Sequence, residues 1–307
     1  EAHGSQLGYS ANIYTFQVDF PARNFGQEGL NYLLSVLLGG QCDIDLIQGC
    51  RLVRLDLGSY VRHLSTPRYG VAGLRQRLGL YGRALVGGII KPKIGLTPTQ
   101  VALVVRQMAE GGCDVIKEDE ILANQPWCRL EDRLKAVSPI LRDFPLLYLA
   151  CVTGDGSQAW KRARLAASYG AGIHLNLWSG LGTYTDVRNH VATPLHFQKS
   201  GDKVWTTGPF AMDATVLCQL ANLAGCDLAH VGMYGGYLAE GVGVLRERIA
   251  ALRTTLPSFS CGMTPALATQ IVKQFGQDVL LLSGGWIHSQ PEGITEACKQ
   301  LRRAVDA

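Results

Sequence analysis

The sequence predicts an α/β fold, a closed (β/α)8 TIM barrel over residues 80–307, and three observations carry that expectation. Apolar, strand-like runs alternate eight times with helical patterns. Those runs are continuously apolar rather than alternating, as strands of a parallel sheet covered on both faces should be. No Gly-rich dinucleotide fingerprint follows the first of them, which argues against a doubly wound open sheet.

Taken in order, residues 84–90, 114–116, 146–152, 172–177, 194–197, 228–231, 258–261 and 279–282 read as the strands. Residues 97–110, 130–142, 157–169, 185–190, 213–224, 241–253, 265–274 and 292–304 read as the helices between and after them. Gly111-Gly112, Gly170 and Gly225 stop three of these helices, because glycine readily takes the left-handed conformation that closes a helix. Residues 1–79 have a mixed character. Within them, 12–20 alternates aromatic or β-branched with polar residues, as a half-buried strand does. Residues 30–38 form a short helix closed by Gly39-Gly40, and 52–57 reads as a second alternating strand.

Composition narrows the function classes. A chain of 307 residues that is 47% hydrophobic and 18% charged buries a large core and is not disordered. Its 36 glycines follow no three-residue period, which excludes a collagen-like chain. The net charge of +4, without a block of like charges, fits a small anionic substrate and no nucleic-acid partner. The nine cysteines include no C-x-x-C pair, so zinc clusters and a secreted disulfide framework are not expected. No apolar stretch is long enough to span a bilayer and no signal peptide is evident, so no membrane is expected and a cytoplasmic protein is.

In a (β/α)8 barrel the site lies at the C-terminal strand ends. The first strand ends in Lys91-Pro92-Lys93, and a partly desolvated lysine there can act as a base or as a Schiff-base amine. The second ends in Lys117-Glu118-Asp119-Glu120. Carboxylate oxygens suit Mg²⁺, and a lysine joins such a set only as a CO₂-derived carbamate, because an ammonium has no lone pair. The later strand ends carry His174, the run His196-Phe197-Gln198-Lys199, and His230 before a Gly-rich loop able to act as a lid. The last two strands end in Ser260-Cys261-Gly262 and Ser283-Gly284-Gly285, where such barrels place a phosphate. His174 reads as a satisfied interior residue.

Residues 87–96 (GGIIKPKIGL) together with 111–133 (GGCDVIKEDEILANQPWCRLEDR) closely resemble the RuBisCO large-subunit superfamily. The K-P-K and G-x-D-x-x-K-x-D-E motifs stand at the family's spacing, and N-Q-P follows at Asn124, Gln125 and Pro126. The resemblance implies that residues 1–79 are the remnant of an N-terminal α+β domain with its connecting segment, and 80–307 the catalytic barrel. It implies Lys91 as the lysine that manages the enolising proton, and Lys117, as a carbamate, with Asp119 and Glu120 as Mg²⁺ ligands. His230 matches a substrate-binding histidine. Asn31, Lys93, Gln198, Lys199, Ser260, Gly262, Ser283 and Gly284 match segments that touch substrate or phosphate. A homodimer is implied in the same way.

The departures are equally specific. Tyr237 stands near the position of the family's CO₂-stabilising lysine, Gln198 and Lys199 replace a histidine and an arginine, and Ser283 begins the last glycine run. Carboxylation of ribulose bisphosphate is therefore not expected. The pattern is RuBisCO-like: Mg²⁺-dependent enolisation of a phosphorylated keto-sugar, as in methionine salvage. The alternatives are decarboxylation of a 3-oxo sugar acid as in apiose breakdown, a metal-free aldolase using Lys91, and a non-catalytic descendant of the fold.

Overall fold

The computed structural model describes residues 3–10, 13–238 and 240–306. The chain opens with an antiparallel hairpin, β1 (His3–Ser10) and β2 (Ile13–Asp19), followed by helix α1 (Leu30–Leu38), the short strand β3 (Cys50–Leu52) and helix α2 (Gly70–Leu78). Eight strands then close a parallel barrel: β4 (Leu85–Ile89), β5 (Val115–Lys117), β6 (Leu147–Cys151), β7 (Gly172–Asn176), β8 (Leu195–Gln198), β10 (Leu228–Gly232), β11 (Leu256–Phe259) and β12 (Leu280–Ser283). β8 pairs directly with β10, and β12 returns to β4. The strand β9 (Phe210–Met212) lies outside the barrel and pairs in parallel with β3.

The helices that follow the barrel strands are α3 (Pro98–Glu110), α4 (Leu130–Asp143), α5 (Ser157–Ser168), α6 (Leu181–His190), α8 (Ala214–Leu223), α9 (Val242–Leu252), α10 (Pro265–Phe275) and α12 (Ile294–Asp306). Two short helices, α7 (Lys203–Thr206) and α11 (Gly285–Ser289), decorate the ends of β8 and β12. The local sequence explains where several helices start. Thr97 and Gln100 form a reciprocal capping box ahead of Pro98, and Thr264 caps α10 ahead of Pro265. Asp213 caps α8 by accepting from the Thr215 amide at 2.7 Å.

The barrel interior is divided by height. At its N-terminal end Leu85, Val115, Leu147, Leu149, Leu228, Leu256, Leu280 and Leu282 form one apolar plug, sealed from below by Leu74 and Leu78 of α2. Leucines fit there because Gly87 and Gly172 leave room: a β-carbon on Gly87 would come within 2.6 Å of Leu282, and one on Gly172 within 2.8 Å of Leu147. Elsewhere the barrel interior is polar, with Lys117, His174, His196, His230 and Ser258 all buried. One end is filled with hydrocarbon and sealed, so chemistry is confined to the other.

The structure revises several expected elements. Residues 52–57 are not a strand; the ladder ends at Leu52 because β9 offers only three partners. Leu55 and Leu57 instead pack on the core, and the Leu55 carbonyl accepts from Gln219 of α8 at 3.0 Å. The expected half-buried strand at 12–20 is β2, whose residues are all exposed, and Asn12 lies outside the described residues. The helix expected at 185–190 begins at Leu181, and the strand expected at 258–261 ends at Phe259. Cys261 is exposed and Cys42 and Cys50 are half-buried, while the other six cysteines are buried. No described helix is long and apolar enough to cross a membrane.

One buried carboxylate ties the sealed end together. Asp227 Oδ1 accepts from the Tyr69 amide at 2.6 Å and the Gly70 amide at 3.2 Å, where α2 begins. Its Oδ2 accepts from Arg188 at 2.9 Å and from the Leu195 amide at 3.0 Å. Asp227→Ala leaves the Arg188 guanidinium buried without its counter-ion and should cost roughly 3–5 kcal/mol. A shift of the urea midpoint corresponding to under about 1 kcal/mol would contradict this role.

Candidate active site

Three acids follow Lys117, and the chain sends them in different directions. Glu118 is fully buried and turns into the barrel wall. Arg133 of α4 grips it with two bonds, Nε to Oε1 at 2.7 Å and Nη2 to Oε2 at 3.0 Å. The Tyr148 hydroxyl and the Cys151 amide also donate to this carboxylate. Arg133 further donates to the carbonyls of Leu122, Ala123 and Cys128, so the loop after β5 is folded around one guanidinium. Asn124 closes that loop by accepting from the Leu130 amide at 2.8 Å.

With Glu118 committed to the wall, its neighbours line the mouth. Lys117 is 1% exposed, and its Nζ donates to the Glu118 carbonyl at 3.0 Å. Burial lowers its pKa below the usual lysine value, against the opposing pull of Glu120. Lys91 Nζ donates to Asp119 Oδ2 at 2.5 Å, while the buried Asp119 Oδ1 has no hydrogen-bond partner. Glu120 accepts from Ser200 Oγ at 3.0 Å and lies 3.9 Å from Lys93 Nζ. Burial alone would raise its carboxyl, but the Lys117 charge, hydrogen bonds and Lys93 outweigh that and hold it at about 2. Lys91, Lys93 and Lys117 thus face two carboxylates, a local excess of positive charge suited to an anionic ligand.

The opposite wall carries the histidines. His230 Nδ1 lies 3.2 Å from Ser258 Oγ and 3.3 Å from Ser260 Oγ, and His196 Nε2 lies 3.1 Å from Ser258 Oγ. Burial depresses all three histidine pKa values, with the Lys117 charge adding to the effect: His230 to about 3, His174 and His196 well below the ordinary value. His174 is not the satisfied interior residue expected, since both its ring nitrogens are buried without a hydrogen-bond partner.

The remaining expected residues divide. Gln198 joins the cluster through Ser200, donating to its hydroxyl at 2.6 Å, and its Oε1 is buried and unpartnered. Gly284 abuts Lys91, because a β-carbon there would come within 3.2 Å of the Lys91 Cε. Gly262 has a φ of +94° and packs its backbone against Gly236. Lys199 is not a free cation; it pairs with Asp202 at 2.7 Å. The Ser283 hydroxyl donates to the Met263 carbonyl at 3.0 Å. Asn31 accepts from the Gly182 amide of α6 at 3.1 Å and makes no hydrogen bond to the cluster among the described residues. The Gly-rich loop expected to be a lid is pinned near its ends, where Glu240 pairs with Arg248 and accepts from the Met233 amide at 3.1 Å. Tyr237 on that loop is 84% exposed.

Sequence reading missed Ser200, Ser258 and His288. The last accepts from the Lys91 amide at 3.2 Å. A hydroxyl inside the otherwise apolar strand β11 was the available signal for Ser258; Ser200 and His288 gave none.

Among the described residues no three His, Cys, Asp or Glu side chains converge as a metal set. Asp119 has an orphaned buried oxygen, and with Glu120 it could offer two hard oxygen ligands, a set that an anionic Lys117 would extend.

The family profile of the ribulose bisphosphate carboxylase large chain, catalytic domain, matches residues 70–247. A protein of Bordetella bronchiseptica described as an uncharacterised ribulose bisphosphate carboxylase-like protein is 34% identical over 98% of this chain and 76% of its own length. The 3-oxo-isoapionate-4-phosphate transcarboxylase/hydrolase of Xanthobacter autotrophicus is 28% identical over 97% of this chain and 77% of its own. The 2,3-diketo-5-methylthiopentyl-1-phosphate enolase of Geobacillus thermodenitrificans is 28% identical over 95% and 74%. The octameric Rubisco of Pyrococcus horikoshii superposes on all of this chain and 77% of its own with a TM-score of 0.93 at 24% identity, a likeness of fold.

The buried histidines make acid stability a direct readout. Each has a folded pKa below its unfolded value of about 6.5, so the unfolded chain binds protons that the folded chain does not. Their stabilising effect is complete above that pH and is lost on acidification, by up to about 1.4 kcal/mol per pH unit for each. Unfolding free energy should fall steadily from pH 6.5 to 4.5, and His174→Leu should flatten the slope by about one such contribution. An unchanged slope would show that His174 is not held neutral.

Proposed function

The chain belongs to the ribulose bisphosphate carboxylase large-chain family, and within it we propose a RuBisCO-like enzyme that enolises a phosphorylated keto-sugar without carboxylating ribulose bisphosphate. The observation that carries this reading is the Lys91–Asp119 contact of 2.5 Å beside the buried Lys117. It sets a proton-handling amine against an anion, next to a second amine that water does not reach.

The proposed roles follow from that arrangement. Asp119, Glu120 and Lys117 as its carbamate would hold Mg²⁺; burial of Lys117 favours the neutral amine that reacts with CO₂. Bound there, Mg²⁺ would polarise the substrate carbonyl and offset the enolate's charge. Lys91, in its neutral form, removes the proton from the carbon beside that carbonyl, and the Asp119 carboxylate stabilises the ammonium that results. Lys93 draws the anionic substrate in. The unpartnered Gln198 Oε1 accepts from a substrate hydroxyl, and Ser260 with the backbone at Gly262 and Gly284 receives the phosphate. His230, whose burial disfavours the charged ring, contributes a hydrogen bond rather than a proton. The exposed Tyr237 offers no cation for an added CO₂, and Gln198 cannot titrate.

We assign residues 1–79 to an N-terminal α+β domain with its connecting segment, and 80–307 to the catalytic barrel. A homodimer is the proposed assembly, in keeping with relatives described as a dimeric archaeal Rubisco and an octameric one. Decarboxylation of a 3-oxo sugar acid is the second reading, favoured by the Xanthobacter relative insofar as that protein is described as acting on a 3-oxo acid phosphate. It differs in releasing CO₂.

Two measurements test the proposal. In D₂O, a panel of keto-sugar phosphates should yield Mg²⁺-dependent deuterium exchange at the carbon beside the carbonyl, and Lys91→Met should slow it by about 10²–10⁴-fold. No exchange on any keto-sugar phosphate, with CO₂ released from 3-oxo acids instead, would move the assignment to the second reading. In calorimetry with bicarbonate present, Asp119→Asn should weaken Mg²⁺ binding at least about tenfold while the thermal midpoint stays near wild type. Unchanged Mg²⁺ affinity would remove Asp119 from the ligand set.

A further inference from the structure

The polar layer of the barrel contains a hydrogen-bonded chain that ends on His230, the residue credited above with a hydrogen bond. It runs from His196 Nε2 to Ser258 Oγ at 3.1 Å, and from Ser258 Oγ to His230 Nδ1 at 3.2 Å. Its middle member sits on β11, and the two histidines it bridges sit on the neighbouring strands β8 and β10. The rings are fixed by their packing: His196 and His230 stand edge to face with centroids 4.6 Å apart, and His174 stands edge to face with His196 at 6.4 Å. His196 and Ser258 are 0% exposed and His230 is 5% exposed, so bulk water does not compete for these contacts.

Ser258 has one hydroxyl proton and two imidazole neighbours, so it donates to one and accepts from the other. If it donated to His196, that ring would be neutral with its proton on Nδ1. His196 Nδ1 is buried and has no hydrogen-bond partner. An orphaned buried N–H is the rarer and costlier arrangement, whereas a bare ring nitrogen there only forgoes an acceptor's bond. The favoured direction therefore runs from His196 Nε2–H to Ser258 Oγ, and from Ser258 O–H to His230 Nδ1.

We infer that His196 and Ser258 are positioning residues that fix His230 as its Nε2–H tautomer, making it a neutral hydrogen-bond donor. Ser260, 3.3 Å from the same Nδ1 and half-exposed, is a secondary contact that does not set the tautomer. The inference rests on the proposed function only for the hydrogen bond given there to His230, whose donor sense it supplies; the tautomer itself is independent of any substrate.

The test is nitrogen-15 NMR of the full chain labelled at histidine, with the His230 signals among the seven histidines assigned by their loss in His230→Gln. Wild type should show a pyridine-type Nδ1 and a pyrrole-type Nε2 at His230. Ser258→Thr, which keeps the hydroxyl, and Ser260→Ala should preserve that pattern, whereas Ser258→Ala should lose it to a mixture or to the Nδ1–H form. A wild-type His230 protonated on Nδ1 would overturn the inference even if Ser258→Ala did not fold. So would a folded Ser258→Ala with an unchanged His230 spectrum. Because no substrate or metal enters, a failure here is separable from a failure of the deuterium-exchange assay.

Discussion

A lysine that cannot reach water governs the open end of this barrel. Lys117 closes β5 with its side chain in the interior, and its nearest hydrogen-bond acceptor is the carbonyl of the next residue. An isolated ammonium in that position is costly to desolvate. The surroundings answer with Asp119 and Glu120 on one side and neutral histidines on the other, where further cations would be repelled. The Glu118–Arg133 pair makes this arrangement possible, because it anchors the intervening acid in the wall and frees its two successors to face the mouth. Burial first, and the Lys117 charge after it, keep His230 unprotonated, and the same charge helps hold Glu120 ionised.

The division of the interior by height gives the fold its functional direction. Leucines and the α2 plug fill the sealed end, and the hydrophobic effect there stabilises the closed sheet. The polar layer above is less stabilising but more specific. Its groups either hold one another, as Ser258 holds the two histidines, or keep an unpartnered atom, as Asp119 Oδ1 and Gln198 Oε1 do. Orphaned polar atoms buried at a strand end mark where a ligand would complete the hydrogen bonding.

The barrel was legible because its strands are apolar throughout and its helices carry caps and glycine stops that read locally. Lys91, Lys117, Asp119 and Glu120 were legible for a related reason: charged residues directly after apolar strands have nowhere to go but the mouth. Partners chosen across the fold were not. Nothing local told that Glu118 would meet Arg133 fifteen residues later, or that Ser200 would join Gln198 to Glu120. Lys199 looked like a free cation until Asp202, one turn on, was seen to neutralise it. The alternation at 52–57 reflects packing against α8, which a period of two does not distinguish from a ladder.

The central claim is that Lys117 serves as an anionic metal ligand rather than as a buried cation. Carbon-13 NMR of the protein with ¹³CO₂ and Mg²⁺ tests it directly. The account predicts one carbamate resonance that strengthens with Mg²⁺ and disappears in Lys117→Arg. A spectrum without that resonance at saturating Mg²⁺ and CO₂, or one that survives the substitution, would contradict it.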